Sequence, residues 1–173
     1  MTDLIILATL LGGPKHGYQL KREAGLILGQ SVLHDNLVYP LLRRFMTRKW
    51  VSRKEAPGQR GQTRHQYSLT ALGRKELIAR LGDFSERDAG SWDAFRFRVG
   101  MFSLLEPETC ERVLQAREEF LHSQMVHMNA IQTGFELNRY PAEVISQTLA
   151  QSKSELTWIA HLRKLGKSRK GST

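Results

Sequence analysis

Hydrophobic residues recur at helical spacing along most of the chain. Residues 2–11 are apolar on nearly every side, as in a short buried helix, and Gly12-Gly13-Pro14 ends this segment. Two amphipathic segments follow at 16–28 and 37–49, each with its apolar residues on one face. Pro40 must lie near the start of the second segment, because a proline deeper in a helix removes a hydrogen bond. The pattern therefore predicts three helices before the first strand.

A different pattern begins at Val51. Residues 51–55 and 64–69 have the length of short strands, and the second alternates polar and apolar positions. Residues 56–63 are polar and rich in Gly and Pro, which is typical of a hairpin tip. Thr70 then suits the N-cap of a fourth helix. Three helices, a hairpin and a fourth helix, in this order, predict a winged helix-turn-helix with a two-stranded wing.

The chain after Gly82 predicts helices without strands. One apolar stripe consists of Trp92, Phe95, Val99 and Phe102. After Pro107, a second helix has a heptad-spaced seam at Leu114, Leu121, Met128 and Phe135. The apolar positions of the last helix are Ile145, Leu149, Leu156 and Ile159. We expect the last helix to end near Gly166. The predicted fold is mainly α, with a winged helix on 1–82, a helical, coiled-coil-like region on 83–166 and a basic, disordered tail on 167–173.

Charged residues are unevenly distributed along the chain. The chain has 26 Lys and Arg against 17 Asp and Glu, a formal charge of +9. Residues 1–82 carry 14 of these basic residues and only 5 of the acidic ones, so the whole excess lies in the predicted winged helix. This distribution favours a polyanionic partner for the first half and another role for the neutral second half.

The predicted winged helix places several of these basic residues on the elements that are expected to face DNA. Its third helix is expected to enter the major groove of DNA, and the wing to lie along the backbone or the minor groove. The candidate DNA-binding residues are Asn36, Tyr39, Arg43 and Arg44 on the helix and Arg60 and Arg64 on the wing. Guanidinium groups suit both roles, because they bind guanine or phosphate through two donors in one plane. An isolated arginine pair is more often merely solvated, but basic residues on both elements favour nucleic-acid binding.

Three short motifs resemble the PadR family of bacterial transcriptional regulators. They are His16-Gly17-Tyr18 after Gly13-Pro14, Tyr39-Pro40 in the third helix, and Tyr67-Ser68-Leu69-Thr70-Ala71-Leu72-Gly73 after the wing. The motifs occur in the family's order and cover about residues 4–81. The second half is similar to the longer PadR subgroup, whose C-terminal helices pair two subunits. Trp50 departs from the pattern, since the family usually has a glycine there.

This resemblance implies a homodimer that binds a pseudo-palindromic DNA operator, mostly as a repressor, and that is released by a small aromatic effector. The candidate dimerisation residues are Trp92, Phe95, Leu114, Leu121, Met128, Ile145, Leu149 and Leu156. From the pattern alone, the same stripes suit packing within one subunit equally well. Trp92 and Trp158 are candidate ligand-binding residues, although aromatic stripes more often belong to a core.

The sequence gives little support to an enzyme, a metal site or a cofactor. The six histidines contain no pair four residues apart, and the single Cys110 excludes an internal disulfide and a Cys-rich zinc module. Cys110 could sense redox state, but inert packing is the commoner role of a helical cysteine. The longest apolar run, Leu4 to Leu11, is too short to span a bilayer. We therefore expect a cytoplasmic protein with no membrane partner.

Two other functions fit the same features. A sequence-indifferent nucleic-acid binder would share the basic surface but would show no site preference. A protein-interaction adaptor would use the winged helix to dock a partner and would bind duplex DNA negligibly at about 0.15 M salt.

Overall fold

The computed structural model describes residues 1–57 and 63–168, and the chain divides into two compact units, Met1–Asp83 and Phe84–Thr173. The N-terminal unit contains α1 (Thr2–Thr9), β1 (Lys15–His16), α2 (Gly17–Ile27), α3 (Asp35–Thr47), β2 (Val51–Pro57), β3 (Thr63–Leu69) and α4 (Ala71–Gly82). The C-terminal unit contains α5 (Glu86–Ala89), α6 (Trp92–Gly100), α7 (Pro107–Gly134) and α8 (Arg139–Ser168). This confirms a mainly α fold with a winged helix followed by long helices.

The all-round apolar character of α1 is explained by its position in the core. All its residues from Leu4 to Thr9 are buried, and Leu10 continues this buried run into a short 3-10 turn. Helix α1 packs against both α2 and α4. Burial of whole Leu and Ile side chains contributes about 1.5 to 3 kcal/mol each, so α1 is the central element of this unit.

The wing contains one strand more than the sequence predicted. Strands β2 and β3 pair antiparallel, with Arg53 opposite Tyr67, and the two-residue β1 pairs with the other edge of β3, with Lys15 opposite Tyr67. Two residues are too few for a period-two pattern, which is why β1 could not be recognised. The short strand ties the segment before α2 to the wing.

Helix α3 begins two residues earlier than predicted, at Asp35, so Pro40 is its sixth residue and lies inside the helix. The expectation that Pro40 lies near the helix start was therefore wrong by about half a turn. Proline has no N–H, so residue 40 donates no helical hydrogen bond to the carbonyl of Asn36. Both residues are exposed, and solvent or a bound partner can compensate for the missing bond.

The end of α3 explains how Trp50 fits where a glycine was expected. The left-handed residue is Lys49, at φ 58°, one position earlier. Its N–H donates to the Met46 carbonyl, and the Trp50 N–H donates to the Phe45 carbonyl, both at 2.9 Å. This is the Schellman pattern, and its usual apolar contact is present because the Trp50 and Phe45 rings lie 5.8 Å apart. Trp50 itself needs no glycine-like backbone.

The last sequence motif forms the base of the wing. The Thr70 hydroxyl accepts from the Gly73 N–H at 2.9 Å, as predicted for an N-cap, and donates to the Lys49 carbonyl at 2.7 Å. The Thr70 N–H donates to the Trp50 carbonyl at 2.9 Å. A Cβ added to Gly73 would lie 2.0 Å from that same carbonyl oxygen. The threonine and the glycine therefore join α4 to the turn between α3 and β2.

The C-terminal unit has its core where α6, α7 and α8 meet. Phe95, Val113, Leu114, Leu121 and Ile159 form its buried centre. The heptad seam of α7 is buried only in its first half: Leu114 and Leu121 are covered, Met128 is half-buried, and Phe135 is exposed just after the helix. Helix α8 also continues past Gly166 to Ser168, so the predicted helix end was too early, while 169–173 of the predicted tail lie outside the described residues.

Charged side chains in this unit are buried in pairs. Arg117 donates to both Glu155 carboxylate oxygens, at 2.6 and 2.8 Å, and also to the Ala89 carbonyl, so it joins α5, α7 and α8. Its guanidinium lies 5.7 Å from the Phe95 ring centroid. Nearby, Ser152 donates to the Gln124 side chain at 3.1 Å. Buried polar groups need such partners, and these bonds select one register of α8 against α7.

We expect the substitution Gly73→Ala to destabilise the N-terminal unit by about 2 kcal/mol or more, because its Cβ overlaps a backbone oxygen that cannot move independently. The matched control is Gly100→Ala, where the added Cβ meets nothing within 4 Å. Thermal unfolding followed by circular dichroism compares the two. Equal melting temperatures for both variants would contradict the proposed close contact.

We expect the substitution Lys49→Gly to stabilise the chain by about 0.5 to 1 kcal/mol, because glycine adopts the left-handed conformation without the Cβ penalty. Lys49→Ala removes the same charge but keeps the Cβ, and it should give no gain. Urea unfolding of the two variants separates backbone strain from charge. A gain of equal size in both would show that charge repulsion is the cause.

Candidate nucleic-acid interface

The exposed side of α3 forms a ridge with Arg44 at one margin and Tyr39 at the other. Val38, Leu42 and Phe45 are buried and fix the orientation of the helix. Residues on the opposite side, at successive steps of three and four, are Asn36, Pro40, Arg43 and Thr47, and all are exposed. Three of the four predicted helix contacts, Asn36, Arg43 and Arg44, are thus exposed on one element.

Arg43 lies at the centre of this ridge. Within residues 1–57 and 63–168, its side chain has no hydrogen bond or ion pair, although its backbone carbonyl accepts from the Thr47 hydroxyl at 3.1 Å. An arginine with all of its donors available can bind a guanine edge or a phosphate through two parallel bonds. The geometry therefore gives Arg43 the properties of a recognition residue.

Arg44 lies at one margin of the ridge and is placed differently. Its side chain is 48% exposed, and one guanidinium nitrogen lies 4.0 Å from a carboxylate oxygen of Asp3 at the start of α1. The same oxygen accepts from Arg80 of α4 at 2.8 Å. The two adjacent arginines therefore differ, since Arg43 points away from the unit and Arg44 is drawn toward it.

Tyr39 occupies the other margin and is half-buried. Its hydroxyl would lie 2.9 Å from a Cβ added to Gly17, so the glycine of the His-Gly-Tyr motif allows α3 to approach the start of α2. Burial and, secondarily, the neighbouring Tyr39 raise the pKa of Tyr67 on β3 above its ordinary value, and a hydrogen bond from Arg53 only partly offsets this. Tyr39 thus helps to join α2, α3 and the wing.

The wing adds basic side chains beside this ridge. Arg53, Lys54 and Arg64 are exposed on β2 and β3. Arg53 was not predicted as a site residue, although its strand position and its place opposite Tyr67 could have identified it. Arg60, the predicted contact at the tip, lies outside the described residues.

Helix α2 contributes a further surface that the sequence analysis missed. Tyr18 is 63% exposed, and the Lys21 ammonium lies 5.9 Å from its ring centroid. Lys21 also forms an ion pair with Asp35 at the first turn of α3, and this hydrogen bond raises the pKa of Lys21. The exposed Tyr18 belongs to the His-Gly-Tyr motif, which was the available signal. The ion pair holds the two helices of the helix-turn-helix together.

The predicted dimerisation residues separate into two groups. Phe95, Leu114, Leu121 and Ile145 are buried within the unit, whereas Met128, Leu149 and Leu156 are half-buried and Trp92 is exposed. Large apolar side chains not in the predicted set are more exposed still: Val126, Phe135, Tyr140 and Val144, at 66 to 73%. They lie on the second half of α7, just after it, and on the first half of α8.

The predicted ligand residues Trp92 and Trp158 lie together, with ring centroids 5.5 Å apart. They line a groove of about 750 Å³ whose wall also includes Phe120, Gln124 and Gln151. Arg117 reaches this groove too, but its guanidinium is already bonded to Glu155 and Ala89. The groove therefore offers aromatic surface and neutral hydrogen-bonding groups.

The described part of the chain has neither a metal-binding cluster nor a membrane-spanning helix. No grouping there of three or more His, Cys, Asp or Glu side chains could hold a metal ion. Among the same residues, no helical segment has the length and hydropathy of a membrane span. Cys110 is partly buried, and its thiol lies 3.7 Å from the Phe102 carbonyl, to which it donates.

An exposed basic ridge on the second helix of a helix-turn-helix, beside a hairpin with exposed basic side chains, defines a winged-helix DNA-binding module. Residues 6–79 match the model of the transcriptional regulator PadR-like family. Residues 6–79, which make up most of the N-terminal unit, are therefore a PadR-like winged helix. The resemblance expected from the three motifs is confirmed. A search of curated proteins found no match.

Three solved structures to which the chain is similar differ in how much of each chain the match covers. PadR from Bacillus subtilis in complex with operator DNA is 16% identical, covering 95% of this chain and 98% of its own, with a TM-score of 0.46. A protein from Thermoplasma acidophilum is 29% identical over 46% of this chain and 75% of its own, with a TM-score of 0.42. One from Streptococcus mutans is 19% identical over 92% and 96%, with a TM-score of 0.40. All three TM-scores lie below 0.5, so the PadR-like assignment rests on the family match and applies to residues 6–79.

Proposed function

We propose that the chain is a sequence-specific repressor that binds a pseudo-palindromic DNA operator as a homodimer. The observation that carries this proposal is the exposed ridge of α3, with Arg43, unpaired among the described residues, at its centre, in the unit that holds nearly all of the net positive charge. Repression requires only that the bound protein exclude polymerase from overlapping DNA. Binding by the winged helix is sufficient for this.

The ridge residues have distinct roles in this proposal. Arg43 binds the O6 and N7 acceptors of a guanine, and Asn36, two helical turns earlier, binds an adenine. Arg44, Arg60 and Arg64 contact phosphates and fix the register without reading sequence. Tyr39 supports the helix through its contact with Gly17 and reaches the DNA only with its hydroxyl edge. Specificity therefore depends on few residues, and affinity depends on many.

Pairing of two subunits would place two such helices in major grooves about 34 Å apart, one turn of DNA. The exposed apolar side chains of α7 and α8, with Met128 and Leu149 beside them in sequence, support a second copy as the partner. Tyr140 and Val144, four residues apart on α8, share one exposed face, and exposed apolar patches often mark protein–protein interaction sites. The buried members of the predicted dimerisation set, such as Phe95 and Leu121, act by supporting these helices.

A small aromatic effector is part of the same proposal. The groove beside Trp92 and Trp158 supports it, because two neighbouring indole rings, with planes inclined at 58°, and the polar groups around them suit an aromatic molecule. Since Arg117 is already paired with Glu155, which lines the same groove, the two charges offset each other and the groove favours a neutral effector over a carboxylate. Quenching of tryptophan fluorescence on titration with such compounds measures this binding.

We expect Arg43→Ala to reduce discrimination between an operator and an unrelated duplex by about 1 to 3 kcal/mol, because a bidentate contact to one base is lost. Fluorescence anisotropy measures it, with duplex from upstream of the protein's own gene and an unrelated duplex of the same length, at two salt concentrations. The control is Lys75→Ala, which removes an exposed charge from α4.

Other results of this experiment would contradict the proposal. Unchanged discrimination in the Arg43 variant would remove its assigned role. Equal binding to both duplexes by the wild type, with a steep salt dependence, would indicate a sequence-indifferent binder. Negligible binding to either duplex at about 0.15 M salt would indicate a protein-interaction adaptor.

We expect Val144→Glu to shift the chain from dimer to monomer in sedimentation velocity at micromolar concentration, since a carboxylate would be buried at the pairing surface. Thr157→Glu introduces the same charge at another exposed position of α8 and should leave the dimer intact. A dimer that persists in the Val144 variant would place the pairing surface elsewhere.

A further inference from the structure

We propose that Asp3 competes with DNA phosphate for Arg44, so that a carboxylate of the first helix limits how tightly the winged helix binds DNA of any sequence. This inference rests on the proposed function, because it assumes that the N-terminal unit binds DNA. It assigns a role to a residue of α1, which lies outside the helix-turn-helix and the wing.

The geometry shows one carboxylate between two arginines. One oxygen of Asp3 lies 2.8 Å from a terminal nitrogen of Arg80 and 4.0 Å from a terminal nitrogen of Arg44. Arg80 is held further by Glu76, one helical turn away on α4, at 2.6 Å. Asp3 also accepts the N–H of Leu4 at 3.0 Å. The bond to Arg80 is thus a short hydrogen bond, whereas Arg44 is attracted only at a distance.

This asymmetry makes Arg44 the exchangeable partner. An arginine–carboxylate hydrogen bond has a length of about 2.7 to 2.9 Å, so the separation of 4.0 Å is a loose ion pair. Half of the Arg44 side chain is exposed, and it is adjacent to Arg43 on α3. When Arg44 turns to a phosphate, Asp3 keeps Arg80 and the Leu4 N–H as partners. The exchange therefore leaves no buried charge unpaired.

Asp3 remains ionised while it does this. Burial alone would raise the pKa of its carboxyl, but the N-terminal ammonium, the Leu4 N–H and Arg80 together lower the pKa below its ordinary value. At neutral pH the side chain therefore carries a full negative charge close to the surface that α3 offers to DNA. This charge attracts Arg44, while its pairs with the N-terminal ammonium at 3.3 Å and with Arg80 at 2.8 Å offset its direct repulsion of a phosphate.

Asp3→Asn tests the inference in the full-length chain. Asparagine keeps the shape and loses the charge, but its single oxygen can replace only one of the two carboxylate oxygens that now accept from Leu4 and from Arg80. We expect tighter binding to both the upstream duplex and an unrelated duplex, by about twofold to fivefold. If Arg44 gains one phosphate, the slope of log K against log salt should become steeper by about 0.9.

Glu76→Gln is the matched control, because it removes the same charge from the same network without touching Arg44. It should change affinity by clearly less than Asp3→Asn. In an Arg44→Ala background, Asp3→Asn should have no further effect. Asp3→Ser, which keeps a short acceptor for the Leu4 N–H, replaces Asp3→Asn in the same comparison if the asparagine variant unfolds.

Three outcomes would overturn the inference while the proposed function stands. They are unaltered or weaker binding by Asp3→Asn, an equal gain in Glu76→Gln, and a gain that persists without Arg44. Failure of the wild type to bind either duplex would overturn the proposed function, and this inference with it.

Discussion

The contact of Gly73 with the Trp50 carbonyl holds the DNA-binding unit together. The oxygen of Trp50 lies where any side chain at residue 73 would be, and Thr70 hydrogen-bonds to the same turn. Three elements meet at this point: the end of α3, the start of β2 and the start of α4. The distance between the recognition helix and the wing therefore depends on one residue without a side chain.

The contact between Gly73 and Trp50 also affects the contacts of nearby arginines. The turn places Trp50 where the guanidinium carbons of Arg48 and Arg80 each lie 4.8 Å from its ring centroid. Arg80, held in this way, keeps Asp3 in position, and Asp3 attracts Arg44. Arg43, one residue earlier on α3, has no such partner in the described chain. A difference of one helical position thus separates a residue suited to reading bases from one that a carboxylate of α1 attracts.

The sequence predicted an element correctly where its hydrophobic pattern repeated several times, or where stereochemistry allows a motif only one structural role. The helices of the winged helix, the Thr70 cap and Pro107 at the start of α7 were predictable for this reason. The two-residue β1 and the start of α3 at Asp35 were not, because neither produces a period. Periodicity also cannot distinguish core from interface, and Phe95 and Leu121 are buried within one unit. The attraction between Asp3 and Arg44 joins residues distant in sequence and leaves no local signal.

The bonds between α7 and α8 limit how the C-terminal unit can transmit a signal. Sliding α8 by one turn along α7 would separate Arg117 from Glu155 and Ser152 from Gln124, and would leave a buried charge without a counterion. A helical ratchet, a common allosteric movement, is therefore energetically excluded for this pair. These bonds favour joint movement of α7 and α8, so a response to the proposed effector would keep the bonded parts of the two helices in register.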